Sequence, residues 1–153
     1  MLTVESKAPP YMLPHLTPAE AADTLAGDTV GLRLHDEGGG GCVACLPGVK
    51  TLDDRVRAWL EPASVLLLDG TCFTDDELVT LGVSARTART MGHAPLTGPG
   101  GSLAFVSTLP KRLRVILVHL NNTNPVLREG SPERRVVEDA GVTVAHDGML
   151  LRV

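Results

Sequence analysis

Residues 63–71 read ASVLLLDGT, and residues 114–123 read RVILVHLNNT. Each is a short apolar run that ends in a chemistry-bearing residue, Asp69 in the first and His119 in the second. Runs this short, apolar on both faces, predict strands buried inside a layered protein rather than half-exposed strands of alternating polarity. Val142–Ala145 reads as a further short strand. Between them lie helical signals. Leu52, Val56, Trp59 and Leu60 fall at helical spacing over residues 52–60. Thr74-Asp75-Asp76-Glu77 reads as a capping box opening a helix over 76–81, and Ser131-Pro132-Glu133-Arg134 opens another over 132–139. Residues 84–91 have room for a further turn of helix, and residues 102–109 form a helix by spacing, stopped by Pro110. Buried strands alternating with helices predict an α/β protein, a mixed sheet with flanking helices.

The region before residue 52 adds two elements. Val30, Leu32 and Leu34 alternate with Gly31 and Arg33, then Gly38–Gly41 turns the chain and Cys42–Leu46 returns. That is a hairpin over residues 29–46. Thr17-Pro18-Ala19-Glu20 predicts a short helix over 18–25, with Thr17 as its cap. No repeat and no internal boundary is visible, so residues 1–153 read as one domain.

Composition narrows the function. The chain has 153 residues, 43% hydrophobic and only 3% aromatic, with a net charge of −4. A chain of this length buries about 70% of its unfolded surface, enough for a real core. Basic residues cluster only at Lys111, Arg112, Arg114 and at Arg134, Arg135, without interleaved aromatics. That argues against a nucleic-acid surface. The longest apolar runs, Val65–Leu68 and Val115–Val118, are too short to span a bilayer. The N-terminal residues lack a signal-peptide pattern, and three cysteines fit a reducing compartment, so the expected location is cytoplasmic.

The candidate site gathers at strand ends. Residues just past the carboxyl ends of strands in α/β sheets are favoured positions for chemistry. Asp69 and His119 are of types that bind iron or zinc, and His93, in a glycine-flanked loop, could reach the same edge. Each also has a plain structural reading: Asp69 as a turn carboxylate in Asp-Gly-Thr, His119 as a satisfied structural histidine, His93 as a solvated loop residue. Asn121, Asn122 and Asn124 offer amides that orient a ligand or form Asx turns. Cys42 and Cys45 make a C-x-x-C, but in a strand residues three apart face opposite ways, so the pair reads as structural. Cys72 reads as a lone structural thiol.

At these residues the sequence resembles a known family. LLLDGTCFTDDEL (66–78), the stretch from RTMGHAPL to NNTNPVL (89–127), SPERRVVEDAGVTVAHDGM (131–149) and VESKAPPY (4–11) resemble, in order and spacing, the C-terminal half of the PqqB family of pyrroloquinoline quinone (PQQ) biosynthesis. The resemblance implies half of a metallo-β-lactamase-like αββα sandwich. It implies Asp69 and His119 as metal ligands, His93 as an active-site group handling protons or placing substrate, and Asn121, Asn122 and Asn124 as substrate-orienting amides. The metal implied is iron, or zinc. The activity implied is oxidation or hydroxylation of the tyrosine-derived PQQ precursor, in partnership with an N-terminal half or a second copy of the chain. The alternatives are a carrier module moving PQQ or its precursor towards the periplasm, and an inactive remnant. The family's cysteine cluster and its histidine-rich motif have no counterpart here, which predicts a metal site left incomplete by these residues alone.

Overall fold

The computed structural model describes residues 1–5, 13–15, 17 and 29–153. The helix expected over 18–25 lies outside the described residues. Six strands form one sheet in sequential order: β1 Leu2–Thr3, β2 Val30–His35, β3 Cys42–Leu46, β4 Val65–Asp69, β5 Arg114–Val118 and β6 Val142–Val144. The first three pair antiparallel, and β3 through β6 run parallel. The sheet is therefore mixed, as expected, and the predicted hairpin is β2–β3.

Register separates the two faces. Ala44, Leu66, Val115 and Val142 lie side by side, and so do Leu46, Leu68, Leu117 and Val144. All eight are buried and belong to the main core. The same core takes in Val56 and Leu60, Phe105, Val106 and Leu109, and Val137. These come from, or directly follow, three helices: α1 Asp54–Trp59, α3 Ser102–Val106 and α4 Pro132–Asp139. Parallel strands placed in chain order, joined by right-handed crossovers, send each crossing segment to the same side of the sheet. The opposite row is Leu32, Cys45, Leu67, Ile116 and Thr143. There Leu32 is 48% exposed, and Leu34 on the same strand 64%.

Two of the four described α-helices start on a side-chain cap, and α3 starts at Gly101 without one. Asp53 caps α1 through Val56 N–H, and Ser131 caps α4 through Arg134 N–H. The helix at Glu77–Thr80, α2, starts at Asp76 without a side-chain cap. Its Glu77 turns inward instead: it is buried, and its carboxylate accepts from Phe73 N–H at 2.7 Å and from the Thr123 hydroxyl at 2.6 Å. The capping box expected at Thr74–Glu77 is thus replaced by a buried carboxylate, and the helix expected over 76–81 shortens to Glu77–Thr80. Helix α3 ends three residues before the expected Leu109. Ser107 and Thr108 hydroxyls bond back to Ala104 and Phe105 carbonyls and compete with the helical ladder. The turn expected over 84–91 shortens to a 3-10 turn, Arg89–Met91.

Candidate metal centre

Three loops at the carboxyl ends of β3, β4 and β5 build the site. The β4 and β5 loops are tied together: Gly70 N–H donates to Val118 O at 2.9 Å, and Asn121 N–H to Thr71 O at 3.1 Å. Gly70 suits this close approach, because a Cβ there would meet Leu117 Cβ at 3.1 Å and the Val118 carbonyl oxygen at 3.2 Å, tighter than most such contacts. Strand β5 stops at Val118, and His119 turns into left-handed backbone with φ 55°, rare for a residue with a side chain. Such strain costs about 1–3 kcal/mol and collects at functional sites. His93 comes from farther along the connection between β4 and β5 and docks on the loop after β3. Gly92, at φ 86°, ends the preceding turn. Ala94 N–H then bonds to Val49 O at 2.7 Å, in the loop after β3.

Asp69, His93 and His119, distant in sequence, converge. Their potential ligand atoms all lie within 4.8 Å of one another. Asp69 is 1% exposed, and four donors point at its carboxylate. Val49 N–H at 3.2 Å and His93 Nδ1 at 2.6 Å meet Oδ2. Thr71 N–H at 3.1 Å and the Thr71 hydroxyl at 2.6 Å meet Oδ1. His119 Nδ1 stands 3.5 Å from Oδ1 and 2.8 Å from the Thr71 oxygen. The two imidazole rings lie 5.1 Å apart, tilted by 30°. Burial alone would raise the Asp69 pKa, but the hydrogen bonds from His119, His93 and Thr71, with the charge of His93, outweigh it. The carboxyl is held below its ordinary range and stays ionised.

The donor set fits a transition metal. Two imidazoles and one carboxylate are the set that iron and zinc sites use. Thr71, read from the sequence only as a turn residue, proves to touch all three groups. Val49, whose contribution is a backbone N–H, carried no sequence signal.

The amides divide. Asn124 is buried; it donates to Gly70 O at 2.8 Å and accepts from Val126 N–H at 3.0 Å, so its side chain locks the two loops together. The Asn121 Oδ1 accepts from Asn122 N–H. Asn122 lines a largely apolar groove of about 690 Å³, with Phe73, Leu81, Leu127 and Arg128 among its walls. The cysteines are free thiols. Cys42 is buried, Cys45 half-buried and Cys72 fully buried. Burial, with Glu77, Asp69 and Asp75 nearby, pushes the Cys72 thiol up to about 12, so it is no nucleophile at neutral pH.

The family model described as "Beta-lactamase superfamily domain" matches residues 3–120. The chain belongs to the beta-lactamase superfamily. Within that superfamily it is similar to proteins named Coenzyme PQQ synthesis protein B. It is 46% identical to the one from Cupriavidus taiwanensis over 95% of this chain and 46% of the relative. It is 42% identical to the one from Azoarcus sp. over 98% of this chain and 47% of the relative. A crystal structure of Zn2+-bound PqqB from Methylobacterium extorquens matches 99% of this chain and 48% of that one, with a TM-score of 0.87 and 37% identity. The chain thus spans about half the length of the relatives it matches. The fold is that of a metallo-β-lactamase-like protein, as the sequence resemblance implied. Among the described residues no helix is long and apolar enough to cross a membrane.

Proposed function

We propose that this chain serves PQQ biosynthesis by contributing the Asp69–His93–His119 centre to metal-dependent oxidation or hydroxylation of the tyrosine-derived precursor. The observation that carries the reading is the convergence of one buried carboxylate and two imidazoles at the strand ends. The relatives named for PQQ synthesis, and a zinc-bound neighbour of the same fold, support it. Iron bound here would supply the redox chemistry of oxygen insertion; zinc would supply Lewis acidity.

The chain's own residues have separate tasks. Ionised Asp69 balances cationic charge and holds His93. His119, on its strained turn, contributes the second imidazole. Within this reading His93 stays beside the reacting atoms, where it places substrate or moves a proton. Asn122 and the apolar groove beside it receive the substrate's body, with Arg128 available to a carboxylate. The sheet face opposite α1, α3 and α4, where Leu32 and Leu34 are exposed, receives the layer that PqqB relatives carry in the rest of their length.

The test is metal content. The chain, alone and combined with the N-terminal half of a PqqB relative, is loaded with Fe2+ or Zn2+ and analysed for stoichiometry. His119→Ala and His93→Ala are expected to lose bound metal. Unchanged metal content in both variants overturns the reading. Tight binding of PQQ by metal-free protein, seen by calorimetry, would instead point to a carrier.

A further inference from the structure

We propose that the groove beside the centre takes a zwitterion, an amino acid or a molecule derived from one, and that Glu133 selects it by receiving its ammonium group. The apolar body fills the groove and Arg128 takes the carboxylate. This rests on the substrate groove of the proposed function and adds the charge chemistry by which that groove selects.

The groove, at about 690 Å³, has the size of a small-molecule site. Phe73, Leu81 and Leu127 give it apolar walls. Phe73 and Asn122 belong to the loops that follow Asp69 and His119, so the walls grow from the same loops as the centre. Four charged residues line it: Asp76, Glu77, Glu133 and Arg128. Two of the carboxylates are engaged within the chain. Glu77 accepts from Phe73 N–H and from the Thr123 hydroxyl, and Asp76 accepts from the Thr80 hydroxyl at 3.3 Å. Glu133 and Arg128 are not engaged. Among the described residues neither side chain makes a hydrogen bond or an ion pair, with the other or with any third group.

Glu133 carries the argument further, because its Oε2 is shut off from water and has no donor. Arg134, the cation next to it in the chain, is turned elsewhere: its Nε holds Glu138 Oε1 at 2.7 Å and its Nη1 the Val126 carbonyl oxygen at 3.3 Å. Glu133 stands in the first turn of α4, where a helix favours negative charge. That accounts for an acidic residue at this position but not for an oxygen withdrawn from water. A carboxylate stripped of part of its hydration, with no donor in exchange, raises the free energy of the chain until a donor arrives. A cation in the groove supplies that compensation. Three carboxylates against one guanidinium also make the groove favour an ammonium group and disfavour a polyanion. Unpaired Arg128 adds a separate preference for a carboxylate. One unpaired anion and one unpaired cation, lining one apolar groove and not bridged to each other, are the complement of a zwitterion.

The experiment uses the full 153-residue chain, free of metal, and three probes of similar shape. L-tyrosine carries both charges, tyramine lacks the carboxylate, and hydroxyphenylpropionate lacks the ammonium. Chemical-shift titration of the isotope-labelled chain reports affinity and place together. L-tyrosine is expected to bind tightest, tyramine next and hydroxyphenylpropionate weakest, with shifts at Asn122, Leu127 and Glu133. Glu133→Gln keeps the side chain's size and should weaken L-tyrosine and tyramine by about tenfold, leaving hydroxyphenylpropionate unchanged. Arg128→Gln should weaken L-tyrosine and hydroxyphenylpropionate by about 2–5-fold and leave tyramine unchanged. Equal affinities for the three probes overturn the proposal. So do shifts confined to another part of the chain, L-tyrosine that does not bind at millimolar concentration, and Glu133→Gln that binds tyramine as before. Should Glu133→Gln fail to fold, the order of the three probes on the unsubstituted chain decides. Zn2+ titration keeps the two readings apart. A chain that binds Zn2+ but seats none of the probes overturns the groove assignment alone, and a chain that binds L-tyrosine in the groove but no Zn2+ supports it while overturning the metal centre.

Discussion

The Glu77 carboxylate accepts a hydrogen bond from the Thr123 hydroxyl at 2.6 Å and so ties helix α2 to the loop that follows His119. Its other oxygen takes Phe73 N–H at 2.7 Å. Glu77→Ala removes both acceptors and leaves a half-buried N–H and hydroxyl unmatched. Donors left in this way cost about 1–3 kcal/mol. A urea unfolding curve should show that loss. It should come with weaker Zn2+ binding, because the loop that follows His119 loses one of its anchors at Thr123. Unchanged stability would mean that water replaces the carboxylate without penalty.

Asp69 sets the acid limb of stability. Its folded pKa lies below the ordinary carboxylate value of 3.8, because the hydrogen bonds of His119, His93 and Thr71 outweigh burial. A depressed carboxyl stabilises the folded state above its unfolded pKa, and this contribution is lost as pH falls through the folded value. Wild-type stability should therefore decline below about pH 4. Asp69→Asn, which cannot accept from all four donors, should be destabilised at pH 7 and show a flatter acid limb. Stability measured from pH 7 to pH 2 checks both.

Much of the fold was legible because burial leaves a simple trace. Val65–Leu68 and Val115–Val118 could only be interior strands, and Ser131-Pro132 marks a helix start that the structure keeps to the residue. Strand ends then pointed to Asp69 and His119. What the sequence did not display was anything made by convergence. Thr71 looks like ordinary turn chemistry until His93 and His119 are brought onto it. Glu77 looks like half of a capping box, and only the loop at Thr123 draws it inside. Helix α3 stopped early because Ser107 and Thr108 side chains compete for its carbonyls, a local effect that apolar spacing does not register.

The thiols predict a graded reactivity. Cys45 is half-buried, its pKa raised by burial. Cys72 is fully buried, its pKa pushed to about 12 by burial and by Glu77, Asp69 and Asp75. At pH 8 a thiol reagent should modify Cys45 first, and Cys72 only after unfolding. The sign of the alkaline effect follows. The raised group's contribution is fully present below the unfolded value of 9.0 and is lost as pH rises towards about 12. Cys72→Ala should flatten that limb, and early modification of Cys72 in the native chain would contradict its burial.

Leu32 and Leu34 test the sheet face. They lie on β2, 48% and 64% exposed, on the sheet face opposite the row that packs against α1, α3 and α4. Exposed residues of this kind change a monomer's own stability by no more than about 0.5 kcal/mol when replaced. Contiguous apolar surface, by contrast, drives association. Leu32→Asp combined with Leu34→Asp should therefore leave the circular dichroism spectrum and the unfolding midpoint nearly unchanged. The same pair should abolish co-purification with the N-terminal half of a PqqB relative, because two charges would have to be buried without partners. Co-purification that survives both charges would place the contacting layer elsewhere, and a collapse of the unfolding midpoint would show that these leucines already pack within the chain.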